Sequence, residues 1–293
     1  MVSEALMVAI DKQPALDQIA DKLQPAINEM FSAAGEGGQQ VKNFLNGTWL
    51  GHPLHPILTD VPIGAWTTAL ALDGFAAVNG NSGFGAAADA AIAIGLVGAM
   101  GAAVSGATDW SNIDARARKI GLVHGLLNAG ATALYATSLL MRRKNKRSAG
   151  VGLAMLGFAV SSASAYLGGH LVYGERIGVN HAVVENPLQD FVAVLDESDL
   201  KEGKPKRVAV QDTKVMLVRR NAKIYALAET CSHLGGPLSE GQFVGDTVKC
   251  PWHGSTFSVV DGSVVNGPAT FSQPCFESRI REGKIEIKSK SES

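Results

Sequence analysis

Apolar side chains recur at helical spacing near the start of the chain, with charged residues between them. The residues of this stripe, at steps of three or four, are Leu16, Ile19, Leu23, Ile27 and Met30. The pattern predicts an amphipathic helical segment over residues 1–47 that is bent or interrupted at Pro25, with a loop at Gly35–Gln40. The apolar face either packs on the rest of the protein or lies in a membrane interface.

Four long apolar stretches follow, each near the ~20 residues that a helix needs to cross a bilayer. They cover residues 56–79, 84–107, 120–141 and 149–173. Residues 92–108 and 149–173 contain no charged side chain, whereas a buried helix of a soluble protein would keep a polar outer face. The pattern therefore predicts an all-α four-helix transmembrane bundle over residues 48–174.

The pattern changes after a linker at residues 175–190. Short stretches of alternating polarity, separated by Gly, Asn and Pro, are typical of closely spaced strands. The predicted strands are 191–195, 208–210, 215–219, 224–227, 247–250, 256–259 and 285–288. The chain is thus predicted to be multi-domain, with a small all-β domain over residues 191–293 behind the helical bundle.

The distribution of charge supports the same division. Neither Lys nor Arg occurs between Lys42 and Arg116 or between Arg147 and Arg176, whereas the chain from Asp190 onward is charged throughout. The formal net charge of -1 argues against a nucleic-acid-binding protein, which would carry a basic face. Three cysteines in 293 residues are too few for a disulfide framework. The N-terminus carries neither a secretory signal nor a twin-arginine pair.

Two cysteines and two histidines of the β part form a metal-binding pattern. Cys231 and His233 give C-x-H, and Cys250 and His253 follow as C-x-x-H after sixteen intervening residues. Both pairs lie in Gly-rich stretches that read as loops. Two thiolates and two imidazoles suit either Zn²⁺ or a [2Fe–2S] centre in which two His replace two Cys on one iron.

The residues around these ligands resemble the Rieske ferredoxin family over about a hundred residues. The resemblance rests on Cys231-Ser-His-Leu-Gly-Gly-Pro-Leu-Ser-Glu-Gly, Cys250-Pro-Trp-His-Gly-Ser-Thr-Phe, Asp261-Gly and Gly267-Pro-Ala. It implies a [2Fe–2S] cluster in which Cys231 and Cys250 hold one iron and His233 and His253 hold the other. A zinc knuckle is the alternative, and it does not require these flanking loops.

The chain departs from the Rieske proteins of cytochrome bc complexes. Those carry a disulfide between the two cluster loops, and this chain has Gly235 and Trp252 at the two positions. It keeps Ser255 but has Phe257 in place of the family's Tyr, so fewer donors reach the cluster. We expect a potential in the lower half of the Rieske range of about -150 to +300 mV. Only forty residues follow His253, too few for the catalytic domain of a Rieske oxygenase.

Four histidines of the membrane part are predicted to share one layer. His52 and His55 precede the first predicted span, His124 lies near the start of the third and His170 near the end of the fourth. Antiparallel spans bring these positions to one side of the bundle, which predicts a cofactor site there. Three interpretations stay open: b-type haem with His124 and His170 as axial ligands, a quinone or another metal, or histidines that only hydrogen-bond helix ends.

This part of the chain also resembles a family of small bacterial four-span membrane proteins of unassigned function. The matching residues, within residues 45–180, are Gly51-His-Pro-Leu-His-Pro, Asp60-Val-Pro-Ile-Gly and Leu167-Gly-Gly-His. The resemblance implies a multi-pass protein of the bacterial inner membrane, with the lipid bilayer as its surroundings. It implies no activity.

Together these features predict a membrane-anchored Rieske iron–sulfur protein that acts as a one-electron carrier. The membrane domain would be its anchor and a second redox station, relaying electrons to or from haem or quinone. Its partners would be redox donor and acceptor proteins or quinone. A non-catalytic carrier is favoured over an enzyme, and the alternatives are a quinone-reactive oxidoreductase subunit and a redox sensor.

The membrane orientation does not follow from charge alone. The segment Arg142–Arg147 carries five positive charges, and the residues of the opposite side also sum to five. Rieske clusters are inserted in the cytoplasm, and the N-terminus lacks a twin-arginine signal for export of a folded domain. We therefore expect a cytoplasmic Rieske domain.

Overall fold

The N-terminal part of the chain is helical in the computed structural model, which describes residues 2–290. The helices found there, α1 to α7, are Val2–Asp11, Pro14–Ala33, Gly35–Asn46, His55–Asn79, Ser82–Trp110, Ala115–Arg143 and Arg147–Tyr173. Local sequence explains the α4–α5 turn: Gly80 takes a left-handed φ of 63° after α4, and the Asn81 side chain accepts a hydrogen bond from the Gly83 N–H ahead of α5.

The chain folds into two compact units that interleave along the sequence. The helical unit contains the chain up to Gly38 and Leu54–Ile177. The β unit contains Gln39–Pro53 and the chain from Gly178 onward. The last two thirds of α3 therefore belong with the strands, although they lie far from them in sequence.

The predicted loop at Gly35–Gln40 is wrong, because these residues lie in α3. Gly35 turns the chain with a φ of 57°, and a Cβ on Gly38 would lie 1.9 Å from the Phe31 carbonyl oxygen. The glycines therefore serve a sharp turn and a close approach between α2 and α3. The predicted interruption at Pro25 is also wrong: Pro25 lies inside α2, which begins at Pro14, and proline suits a first helical position.

The N-terminal helices pack on the helical unit itself. Arg118 of α6 forms ion pairs with Asp17 at 3.0 Å and Asp21 at 2.7 Å, and Lys119 contacts Asp17 at 2.8 Å. Met7 and Ile10 of α1 share a buried cluster with residues of α6 and α7. Of the predicted apolar stripe, Leu16 packs against this cluster, whereas Ile19, Leu23 and Met30 are 40%, 44% and 75% exposed. Packing on the protein therefore accounts for only part of the amphipathic face.

Four long helices, α4 to α7, occupy the stretches predicted as spans. Among the described residues, α4, α5 and α7 are long and apolar enough to cross a membrane. Helix α6 does not reach that level, because His124 and Asn128 lower the hydropathy of its centre and charged residues occupy both ends. The Trp66 and Tyr135 rings stack between α4 and α6 with centroids 4.0 Å apart.

A buried ion-pair network joins the four long helices. Arg142 at the end of α6 is fully buried and contacts Asp73 of α4 at 2.5 Å and Asp89 of α5 at 2.9 Å. Arg147 at the start of α7 contacts Asp89 at 3.0 Å. The Arg142 Nε–H also donates to Ser138 Oγ. Each charge thus has a partner of opposite sign, as burial requires.

The β unit consists of two antiparallel sheets. The six-stranded sheet has the order β1-β10-β9-β4-β3-β2, and the four-stranded sheet has the order β5-β6-β7-β8. The strands are Val192–Asp196, Lys206–Val210, Thr213–Arg220, Lys223–Ala228, Gln242–Val244, Thr247–Lys249, Thr256–Ser258, Val264–Asn266, Cys275–Arg281 and Lys284–Ser289. This confirms the predicted small β domain, although the sequence pattern does not predict β5, β8 and β9.

Candidate cluster-binding site

The predicted ligands lie on two loops at the four-stranded sheet. Cys231 and His233 follow β4, and the loop returns through a short 3₁₀ turn at Leu238–Glu240 to β5. Cys250 and His253 lie between β6 and β7, two paired strands that fix the ends of this loop. Strand pairing therefore holds the second loop directly, whereas the first loop needs further contacts.

The two loops share one backbone hydrogen-bonding pattern. The Cys231 N–H donates to the Gly236 carbonyl at 2.8 Å, and the Gly235 N–H donates back to Cys231 O at 2.9 Å. In the second loop the Cys250 N–H donates to Ser255 O at 2.8 Å, and the Gly254 N–H to Cys250 O at 3.2 Å. The fourth residue after each cysteine is a glycine with φ near 80° (81° and 79°), a conformation that favours glycine.

The two cysteine side chains meet in the core beneath the loops. Cys231 and Cys250 are 1% and 3% exposed and lie in one buried cluster. The hydrogen bond between the two sulfurs raises the pKa of Cys231 and lowers the pKa of Cys250 to about 6. Cys250 is therefore readily deprotonated to a thiolate, and thiolates are the ligands that iron–sulfur clusters require.

The two histidine side chains form a second pair. The His233 and His253 ring centroids are 5.0 Å apart, at an interplanar angle of 78°. Burial lowers the pKa of His233 to about 3, so its ring is neutral at physiological pH and can ligate a metal. Its Nδ1 atom is buried without a hydrogen-bond partner. An orphaned ring nitrogen of this kind suits a metal ligand, since a buried polar atom otherwise needs a partner.

The donors form pairs rather than one tetrahedral set. Within residues 2–290, no group of three or more His, Cys, Asp or Glu side chains is gathered around a position for one metal ion. A cluster with two irons, one held by two thiolates and the other by two imidazoles, matches this division. The residues present therefore fit a Rieske centre, with one pair of donors on each iron.

A buried glutamine that the sequence analysis did not identify supports the first loop. Gln273 is 2% exposed, and its Nε2 donates to the carbonyls of Ala228 and Thr230 at 2.7 and 2.5 Å. Its Oε1 accepts a hydrogen bond from the Ser232 N–H at 3.1 Å. Gln273 thus fixes the chain on both sides of Cys231. Its separation of more than forty residues from Ser232 leaves no local sequence signal.

The structure brings two of the four membrane-part histidines together. His55 and His124 meet edge to face in the helical unit, with ring centroids 6.3 Å apart. Both ring nitrogens of His124 have protein contacts: Nδ1 lies 2.8 Å from Ser164 O, and Nε2 lies 3.1 Å from the Asn128 amide nitrogen. His170 lies beside Glu175 at 3.4 Å. His52 belongs to the β unit, where it is exposed.

Family comparisons agree with this division of the chain. The Rieske [2Fe-2S] domain model matches residues 190–277. A second model, described as predicted membrane protein (DUF2231), matches residues 51–181.

Curated relatives match the Rieske part. Ferredoxin CarAc of Metapseudomonas resinovorans is 33% identical over 100 residues, covering 34% of this chain and 94% of that protein. Apoptosis-inducing factor 3 of Homo sapiens is 33% identical over 121 residues, 41% of this chain. The cytochrome b6-f complex iron-sulfur subunit of Chlorobaculum tepidum is 30% identical over 96 residues, 33% of this chain. The chain spans 20% of the length of the human protein and 52% of the Chlorobaculum subunit.

The β unit thus defines an iron–sulfur protein of the two-His, two-Cys class. The chain belongs to the Rieske [2Fe–2S] family, in a form that is fused to a DUF2231 membrane domain.

Proposed function

We propose that this protein is a membrane-anchored one-electron carrier whose [2Fe–2S] cluster is held by Cys231, Cys250, His233 and His253. The observation that carries the proposal is the matched pair of loops, which presents two buried thiols and two imidazoles as separate pairs. The bound cluster would supply reversible one-electron chemistry. We assign Cys231 and Cys250 to one iron and His233 and His253 to the other.

The chain's own residues would keep the cluster stable and accessible on one side. Cys231 and Cys250 lie in the apolar core with Phe257, Val248 and Leu238, which excludes water from the thiolate side. His253 is half-buried, and its neighbour Trp252 is 58% exposed. An electron would therefore enter and leave on the histidine side, where the protein covering is thinnest.

The proposed partners are redox donor and acceptor proteins, which follow from the one-electron chemistry of the cluster and from the matched relatives. The matched relatives include a ferredoxin and a subunit of a cytochrome complex, which supports exchange with other redox proteins. A soluble or membrane-bound donor and acceptor would dock near Trp252. We propose no catalytic step on this chain itself.

For the membrane part we propose that all four long helices span the bilayer, α6 as well as α4, α5 and α7. Helix α6 packs closely on α7, and its charged ends lie where a span would leave the hydrocarbon. The contact between His55 and His124 favours this pair as the centre of a quinone-binding or proton-bearing site in the bundle. Haem b ligated by His124 and His170 stays a prediction, and it requires His124 to give up its contact with Asn128 or Ser164.

The test uses the full-length protein purified in detergent. We expect about two iron and two acid-labile sulfide per chain and a Rieske EPR signal after reduction. The Cys231→Ser variant should lose both, whereas the matched control Cys275→Ser should keep them, because Cys275 lies on β9 and outside the two ligand loops. Zinc in place of iron, or an unchanged signal in Cys231→Ser, would contradict the proposal. Reduced-minus-oxidised spectra of the same sample test for haem.

A further inference from the structure

A segment from outside the Rieske match completes the β unit. Residues 39–53 precede the first long helix and belong to the β unit, whereas the family match begins at residue 190. Asn43 of this segment donates from Nδ2 to Asn266 Oδ1 at 3.0 Å and accepts at Oδ1 from the Gly267 N–H at 3.0 Å. Both hydrogen bonds bridge more than 220 residues of sequence.

The same segment packs tightly on Gly267. Asn46 is fully buried, and a Cβ on Gly267 would lie 2.7 Å from Asn46 Nδ2 and 3.3 Å from Thr48 Cγ2. A side chain on Gly267 would therefore force the Asn46 side chain to shift from this position. The contact is a close fit and not a loose covering.

The Gly267 loop contacts the second cluster loop in turn. Two residues after Gly267, the Ala269 N–H donates to Ser255 Oγ at 2.9 Å. The Ser255 carbonyl accepts from the Cys250 N–H. A short series of hydrogen bonds thus links Asn43 to the loop that carries Cys250.

The residue before Asn43 is a lysine. Lys42 is half-buried and lies within electrostatic range of His233 on the first loop and of Lys249, the residue before Cys250. The hydrogen bonds of Asn43 fix the backbone from which the Lys42 side chain extends. A positive charge from the N-terminal part of the chain is thereby held beside the cluster loops.

We infer that Lys42, positioned by Asn43, is a tuning residue that raises the midpoint potential of the cluster. The inference rests on the proposed function, since it concerns the cluster that the four ligands would hold. One-electron reduction adds a negative charge to the cluster, and a fixed positive charge nearby stabilises that charge more than the oxidised state. The chain would thus set its potential with a residue that a stand-alone Rieske domain does not contain.

The first test removes the charge from the full-length protein. In Lys42→Gln we expect the equilibrium constant for reduction to fall by about threefold to tenfold, and a tenfold fall corresponds to 59 mV for a one-electron couple. Lys42→Arg should keep the wild-type potential because it keeps the charge. Lys284→Gln is the matched control, because Lys284 lies on the six-stranded sheet and pairs with Asp196. An EPR-monitored redox titration gives each potential.

The second test asks whether Asn43 positions Lys42. In Asn43→Ala the segment loses its contacts with Asn266 and Gly267, so the potential should also fall, and adding Lys42→Gln should lower it by less than it does in the wild type. A merely structural role of Asn43 would leave the two changes additive.

The outcomes separate the two proposals. A wild-type Rieske signal with equal potentials in Lys42→Gln and Lys284→Gln would overturn the tuning role alone. A fall in Lys42→Arg as large as in Lys42→Gln would also overturn it, because the charge would then not be the cause. Absence of the signal in every protein, wild type included, would overturn the proposed function itself.

Discussion

At the residue scale, hydrogen-bond donors near the cluster should set its potential. Ser255 is fully buried, and its Oγ accepts from the Ala269 N–H. We expect its own hydroxyl hydrogen to donate to the bound cluster. Losing one hydrogen bond of about 1 kcal/mol corresponds to about 40 mV in a one-electron couple. We therefore expect Ser255→Ala to lower the midpoint potential by about this amount.

The opposite change, which adds a hydrogen-bond donor, can be made two residues further along the chain, at Phe257. Phe257 is fully buried in the same cluster of side chains as Cys231 and Cys250. Phe257→Tyr adds a donor and should raise the potential. Both variants are measured by redox titration of the purified protein, and a potential that does not respond to either change would contradict this account.

A glycine beside the ligands should be essential for assembly of the site. A Cβ on Gly236 would lie 2.7 Å from Cys250 Sγ and 3.1 Å from the Trp252 ring. Gly236→Ala should therefore push the first loop away from Cys250 and reduce the cluster content below about half of the wild-type value. The measurement is iron and sulfide per chain after purification.

Gly245→Ala provides the control for that substitution. Gly245 has a φ of 54°, but a Cβ there would have no atom within 4 Å. This variant carries the backbone strain of an alanine in the left-handed region without a clash against a ligand. If both variants lose the cluster equally, steric access to Cys250 is not the cause.

Some residues of the site can be predicted from the sequence, and others cannot. The four ligand candidates are evident from their types and spacing, because a metal site constrains its residues within each loop. Gln273 and Asn43 are not, because their partners lie about forty and more than two hundred residues away and an amide side chain has no distinctive pattern. Only the folded chain shows that they position the loops.

At the element scale, periodicity predicts long helices well and short elements poorly. The four apolar stretches all become helices, since each repeats a helical pattern over many residues. Strands β5 and β8 have three residues each, too few to show alternation. Helix α3 begins with the glycine-rich sequence Gly-Glu-Gly-Gly, whose low helix propensity is overridden by close packing.

Helix packing in the membrane part should depend on the buried arginine of α6. Arg142→Met would leave the buried carboxylate of Asp73 without its closest partner, a change that typically costs about 3–5 kcal/mol. Arg143→Met, one residue further along, removes an exposed charge and should have little effect. Thermal unfolding of the two variants in detergent distinguishes them. Equal unfolding temperatures would show that the network contributes nothing to stability.

At the scale of the whole molecule, the two units are connected more than once along the chain. The chain enters the β unit at Gln39, leaves it after Pro53 and enters it again at Gly178. A truncated protein that begins at the family boundary, residue 190, would lack Asn43 and Asn46 and would expose their partner Gly267. The properties of the cluster therefore have to be measured on the full chain.

The orientation of the whole molecule in the membrane is the remaining prediction. The two sides carry equal numbers of positive charges. Ion pairing leaves this balance unchanged because it occurs on both sides. Arg142 and Arg147 are paired where α6 ends and α7 begins, and Arg118 and Lys119 are paired at the other end of α6. Because Rieske clusters are inserted in the cytoplasm, we predict a cytoplasmic β unit. Green fluorescent protein fused after Ser293 should fluoresce, and alkaline phosphatase fused there should be inactive. The opposite pair of results would place the cluster outside and would require a route for exporting a folded domain.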